Sequence, residues 1–209
     1  MNNPLKTIGK HVLDRHYRSR VLNSCEGSII CSNCIGGVLY NHMGQQFKSP
    51  TVNLYIKQND FIRMCCNLKH YMSLDIEFIK TDLNHPVGKI GDVTIYFNHD
   101  DSSESEAAAK WYRRRERIDY EKLFFIFYYG DGVTEEDVAR LDSVPCLNKV
   151  MLSPEPLDWK NISYISYFNP SGSDSLSMRG MDQDVFGIRS IERKFDFARF
   201  LNDGFSKLC

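Results

Sequence analysis

The chain has 209 residues, 42% of them hydrophobic and 12% aromatic, and a net charge of -1. That length allows a sizeable core and predicts a single α/β domain over residues 1–209. The balanced charge argues against nucleic acid as a partner, and no stretch approaches the ~20 apolar residues of a transmembrane helix.

Taken in chain order, residues 5–20 read as a helix with Leu5, Ile8, Val12 and Leu13 on one side and basic residues elsewhere. A short buried strand follows at 28–31, then a helix from Gly37 to about His42 that stops near Gly44. Residues 47–51 form a loop and 52–56 a short strand, and the apolar spacing over 60–72 predicts one helix. Strands are expected at 74–79 and 92–98, with a turn at 85–88 between them. Ser102 or Ser103 caps a helix reaching about Ile118. Residues 123–129 are the clearest strand, apolar on both faces and ended by the turn Gly130-Asp131-Gly132. Thr134 and Asp137 form an acidic capping box for a helix to Leu141. Strands at 148–152 and 162–167, a Ser/Gly-rich lid or linker at 170–180 and a last helix at 191–201 complete the chain.

Strands and helices alternate, and the strand near residue 125 is apolar all round. This predicts a mostly parallel, mixed sheet flanked by helices on both faces, a Rossmann-like three-layer sandwich. Sites in such folds lie beyond the carboxyl ends of the strands. Cys34, His99 and Asp131 all follow predicted strands and are expected to share one edge.

Cys34 is the candidate nucleophile. Ser32-Asn33-Cys34-Ile35-Gly36 sets it in a strand-turn-helix with small flanking residues, and a helix N-terminus favours thiolate. His99 is the candidate base and Asp131 the residue that orients it, while backbone N–H groups around Gly36 and Gly37 would cradle an oxyanion or a phosphate. The structural alternative is a small buried cysteine packed by two glycines. Cys31 and Cys34 form a lone CxxC with no second pair, so neither a metal site nor a redox pair is expected. Lys110, Trp111, Arg114 and Arg117 stand on a basic helix that suits an anionic or sugar ligand, or simply a solvated, ion-paired face. Ser49 and Thr51 either line a pocket or close a turn, and His42, His70 and His85 have no evident partner.

The segments 33–40, 49–54, 86–88 before Asp92, the stretch from His99 to Lys110-Trp111 with Arg114, Arg117 and Ile118, and Asp131-Gly132 together resemble the bacterial family DUF1919. The chain departs from that pattern at Asp100, where an aromatic residue is expected. The resemblance implies a role in exopolysaccharide or capsule biosynthesis, with acyl or acetyl transfer as the suggested activity. It sets the expectation of a sugar-modifying enzyme working by acyl transfer or hydrolysis through Cys34, with Asn33, Gly36, Gly37, Ser49, Thr51, Lys110, Trp111, Arg114 and Arg117 around the substrate. An acyl-CoA or a nucleotide-sugar is the candidate donor, and a carbohydrate or sugar phosphate the candidate partner. A nucleotide-sugar or phospho-sugar transferase without a covalent intermediate, and a non-enzymatic glycan-binding protein, are the alternatives. Seven cysteines without a disulfide framework, and a polar N-terminus, point to a reduced, cytoplasmic setting with peripheral association to assembly machinery.

Overall fold

The run from Leu123 to Tyr128 is apolar or aromatic at every position. It has no face to give to water, so both must be covered. In the computed structural model, which describes residues 3–21, 27–98, 103–129, 132–144, 146, 148–153, 164–166 and 183–203, this run is strand β5 and is buried throughout. With β1 (Ser28–Cys31), β6 (Lys149–Ser153) and β7 (Tyr164–Ser166) it forms a four-stranded parallel sheet in the order β1-β5-β6-β7. Cys31 stands opposite Ile126, and Tyr128 opposite Leu152.

Alternation along the strands divides the apolar side chains into two clusters. Leu123, Phe125 and Phe127, with Ile30 and Met151, pack against α3 (Gln58–Cys66), α4 (Leu68–Ser73), α5 (Glu104–Arg115) and α6 (Glu135–Ala139). Phe124, Ile126 and Tyr128, with Ile29 and Cys31, pack against α1 (Pro4–Arg20), α2 (Ile35–Met43), α7 (Ser190–Lys194) and α8 (Phe197–Asp203). Helices therefore cover both faces of the parallel sheet.

The expected single sheet is corrected in one respect. The segments around 74–79 and 92–98 do not join the parallel strands. They supply β2 (Glu77–Ile79) and β4 (Val93–Tyr96) of a separate antiparallel sheet, with β3 (Val87–Ile90) between them. Strand β3 begins in the segment expected to be a turn. Two residues, Gly91 and Asp92, join β3 to β4, and so short a link permits only antiparallel pairing. Residues 52–56 make no strand; Tyr55 forms an isolated bridge to Tyr96.

The helix ends follow local chemistry. The Ser103 hydroxyl accepts from the Glu106 N–H (3.4 Å), and Thr134 and Asp137 form the expected capping box. The helix expected over 60–72 is broken at Asn67, which has φ −138° and ψ 52°. The last helix is broken in the same way at Phe195, where the backbone is extended. On α1, three residues of the expected apolar side, Leu5, Ile8 and Val12, are exposed, while Leu13 packs against the second cluster and Gly9, Asp14 and Tyr17 face inward. Ser102, the turn residues Gly130 and Asp131, and the segment 170–180 lie outside the described residues.

Trp111 is 1% exposed and belongs to the cluster on the α5 side. Trp111→Ala is expected to lower unfolding free energy by about 3–5 kcal/mol in denaturant titrations, as for other buried tryptophans. A loss within 0.5 kcal/mol, of the size ~0.5 seen for surface positions, would contradict that placement.

Candidate functional site

Strand β1 lies at the edge of its sheet, so its outward backbone groups need partners. The Ile29 N–H donates to Tyr40 Oη (2.9 Å), and that hydroxyl donates to the Gly27 carbonyl (3.1 Å). The Cys31 N–H donates to Thr51 Oγ1 (3.3 Å). Ser49 Oγ lies 2.9 Å from Thr51 Oγ1 and accepts from the Thr51 N–H (3.2 Å). Ser49 and Thr51 are completely buried. Their hydroxyls bond to each other and to the backbone within the 49–51 turn.

At the carboxyl end of the strand, Gln58 is a buried clamp. Its amide nitrogen donates to Ser32 Oγ and its amide oxygen accepts from the Tyr128 N–H (3.2 Å). This ties the ends of β1 and β5 together where a parallel sheet presents its functional edge. The chain then turns through Asn33, whose side chain accepts from the Ile35 N–H (3.1 Å), and enters α2 at Cys34. Helix α2 begins two residues earlier than expected, so both glycines lie in its first turn. A Cβ on Gly36 would stand 2.6 Å from Cys31 Sγ, and one on Gly37 2.3 Å from Asn53 Oδ1. These glycines allow α2 to lie against β1 and the 49–53 loop. The first-turn amides are also partly occupied, since Asn33 takes the Ile35 N–H and the Gly36 N–H bonds the Cys31 sulfur.

Cys31 and Cys34 differ in environment. Cys31 is fully enclosed, donates to the Asn33 carbonyl (3.2 Å), and burial pushes its thiol up to about 12. Cys34 is half-buried. Burial raises its thiol above the ordinary range, and the nearby Arg189 guanidinium draws it back. Position at a helix start therefore does not by itself make Cys34 a resting thiolate. Both cysteines are free, and no cluster of metal-ligating side chains occurs among the described residues.

Behind Cys34 runs a buried charged chain whose partners the sequence does not reveal. His42, on the last turn of α2, places Nδ1 2.7 Å from Asp14 Oδ1 of α1. Its Nε2 lies 3.1 Å from Glu192 Oε1 of α7, too oblique for a hydrogen bond. Tyr17 stacks on the imidazole with ring centroids 5.3 Å apart. Lys10 pairs with Asp14 (2.7 Å) and Arg189 with Glu192 (3.4 Å). A neutral imidazole would turn a lone pair toward one carboxylate, so this geometry favours the imidazolium. Burial pulls the His42 pKa down, but Glu192 and then Asp14 outweigh it and hold it above the ordinary value. Burial raises Asp14 and Glu192, and their cationic neighbours more than reverse this. Alongside lies a cavity of about 270 Å³ lined by Lys6, Lys10, Val38, His42, Gln183 and Arg189, among others. Val38 is one turn beyond Cys34 on the same face of α2.

The basic helix faces elsewhere. Arg114 donates to the Val52 carbonyl (3.2 Å) and lies over the Phe47 ring, and Arg117 donates to the Phe47 carbonyl (3.4 Å). Lys110 is partly buried, and Trp111 is core. These arginines brace the loop that backs the Cys34 turn. His99 and Asp131 lie outside the described residues.

His42→Ala leaves two carboxylates without their shared cation. It is expected to cost about 3–5 kcal/mol by denaturant titration. The pH sign follows from the shifts. The raised His42 pKa gives stability that is complete below 6.5 and lost as pH climbs through the raised value. The lowered Asp14 and Glu192 values give stability present above about 4.5 and lost as pH falls through them. The wild-type melting temperature, minus that of His42→Ala, is expected to be greatest between about pH 4.5 and 6.5; a difference that grows toward alkaline pH would contradict the charged imidazole. Gly37→Ala, which forces a methyl against Asn53, is expected to cost about 1–3 kcal/mol in the same titration.

Comparison with known proteins supports the resemblance noted in the sequence. The family model described as "Domain of unknown function (DUF1919)" matches residues 5–202. A Haemophilus influenzae protein described as "Uncharacterized protein" is 37% identical over 178 residues, which is 84% of this chain and 84% of that protein. The match runs from α1 to α8 and includes the Cys34 turn and the buried His42 chain, and on that extent this chain belongs to the DUF1919 family.

Proposed function

We propose that this chain is a sugar-modifying enzyme of exopolysaccharide or capsule assembly, working by acyl transfer or hydrolysis through Cys34. The observation that supports this reading is the half-buried Cys34 thiol, set at the carboxyl end of a parallel strand and the start of α2, beside Arg189. The polysaccharide setting comes from the family resemblance. Helices on both faces of a parallel sheet fit a Rossmann-like three-layer sandwich, whose active sites lie at this edge. Free cysteines suit a reduced, cytoplasmic location.

Because burial raises the thiol pKa, a base must take the proton as Cys34 attacks. His99 is the proposed base and Asp131 its orienting carboxylate. The sulfur adds to the acyl carbonyl of a donor such as acyl-CoA, the C–S bond forms, and the donor's leaving group departs with the proton. A sugar hydroxyl, or water in hydrolysis, then attacks the thioester, gives up its proton to the base, and the sulfur leaves to be reprotonated. Arg189, with Lys6 and Lys10 at the cavity, is the cationic group best placed for an anionic part of the substrate. The same lining favours a second reading, a nucleotide-sugar or phospho-sugar transferase without a covalent step. A glycan-binding surface built on Trp111 is set aside, since that indole is enclosed in the core.

Incubation with acyl-CoA followed by peptide mapping is expected to find the acyl group on Cys34. Cys34→Ala is expected to keep its circular dichroism spectrum and lose the adduct and turnover. An alanine variant that still turns over donor and sugar would refute the covalent mechanism. A thermal shift with nucleotides or sugar phosphates that survives Cys34→Ala would favour the second reading.

A further inference from the structure

Five of the six exposed large apolar side chains among the described residues lie in two segments that meet, Leu5, Ile8 and Val12 on α1 and Val185 and Phe186 on the chain before α7. The contact is fixed by Gly9. A Cβ there would stand 2.0 Å from the Phe186 carbonyl oxygen, so the second segment lies directly on the helix. The turn carrying it is held by Asp184, whose Oδ1 accepts from the N–H groups of Phe186 (2.8 Å) and Ile188 (3.0 Å). Lys6 Nζ donates to Gln183 Oε1 (3.3 Å) beside it. Leu5, Ile8 and Val12 recur at helical spacing and form one outward stripe.

On α1 the charge is mainly basic, and the acid of the facing segment, Asp184, is paired with Arg193. Helix α1 carries five Lys or Arg residues against one Asp, in a chain whose net charge is -1. The single acid, Asp14, points inward and is committed to His42 and Lys10. His11 and Arg15 flank the stripe on the solvent side of the helix.

A water-exposed helix face usually carries the polar residues, and here the apolar stripe is outside. An exposed aliphatic stripe on a basic helix, with Arg15 at its margin, fits a bilayer surface, where aliphatic side chains enter the headgroup boundary and lysine and arginine remain among anionic headgroups. We propose that the face formed by α1 and residues 184–187 docks this protein onto anionic membrane surfaces.

The test is co-sedimentation of the full chain with vesicles of phosphatidylcholine and with vesicles of mixed phosphatidylcholine and phosphatidylglycerol. Binding to the mixed vesicles, weakened by high salt, is expected, with little binding to phosphatidylcholine. The double substitution Ile8→Asp, Val12→Asp is expected to reduce the bound fraction at least about tenfold, with circular dichroism unchanged because both positions are exposed. Arg15→Glu is expected to weaken binding to the mixed vesicles. Leu83→Asp alters the exposed apolar residue outside the patch and is expected to have no effect. No binding to mixed vesicles, or equal binding to both kinds, would overturn the proposal. It would also be overturned by light scattering that shows a dimer which the Ile8→Asp, Val12→Asp protein cannot form, since the face would then join two copies of the chain.

Discussion

Strand β5 must be hidden from water on both faces, and most of the architecture follows from that constraint. Its six apolar residues cannot line a half-exposed sheet, so helices must cover both sides. The crossovers between β1 and β5 and between β5 and β6 carry helices that cover one face, while α1, α2, α7 and α8 cover the other. With both faces covered, the rim where the parallel strands end is left to the turns that follow them. Gln58 fixes that rim by bonding to the ends of β1 and β5 at once.

Helix α2 is the link between the two polar regions. Its first turn carries Cys34 and its last turn carries His42. Arg189 and Glu192 belong to one short segment, and through it the surroundings of the thiol are joined to the imidazolium. A buried imidazolium between two carboxylates is costly to desolvate and is maintained only when its geometry is held on all sides. Here α1, α2 and α7 each contribute one member, so the placement of these three helices and the charge state of His42 are a single arrangement. Any ligand that enters the adjoining cavity meets that arrangement directly.

The basic residues divide by use. Arg114 and Arg117 bond backbone carbonyls of the 47–53 loop, and Lys10 and Arg189 pair with buried carboxylates at the edge of the cavity. A positive run in the sequence thus serves as loop bracing, whereas the cations of the cavity beside α2 come from both ends of the chain.

The sequence by itself determined the local features. Apolar runs set β1, β5 and β6, Ser103 and the Thr134–Asp137 pair set helix starts, and the small residues around Cys34 marked the strand-turn-helix. Each depends on neighbours a few positions away, within reach of pattern and propensity. The tertiary structure alone decided the rest. Strand β3 was hidden by Pro86 and Gly88, which read as turn residues. Periodicity gave α1 an apolar side without saying which face meets the core, and the structure exposes Leu5, Ile8 and Val12. His42 gained its partners only when Asp14, 28 positions earlier, and Glu192 of α7 were brought together, and no local pattern encodes a contact at that separation. Buried electrostatics are long-range in sequence and short-range in space, so the ends of the chain had to meet before the charged chain behind Cys34 could exist.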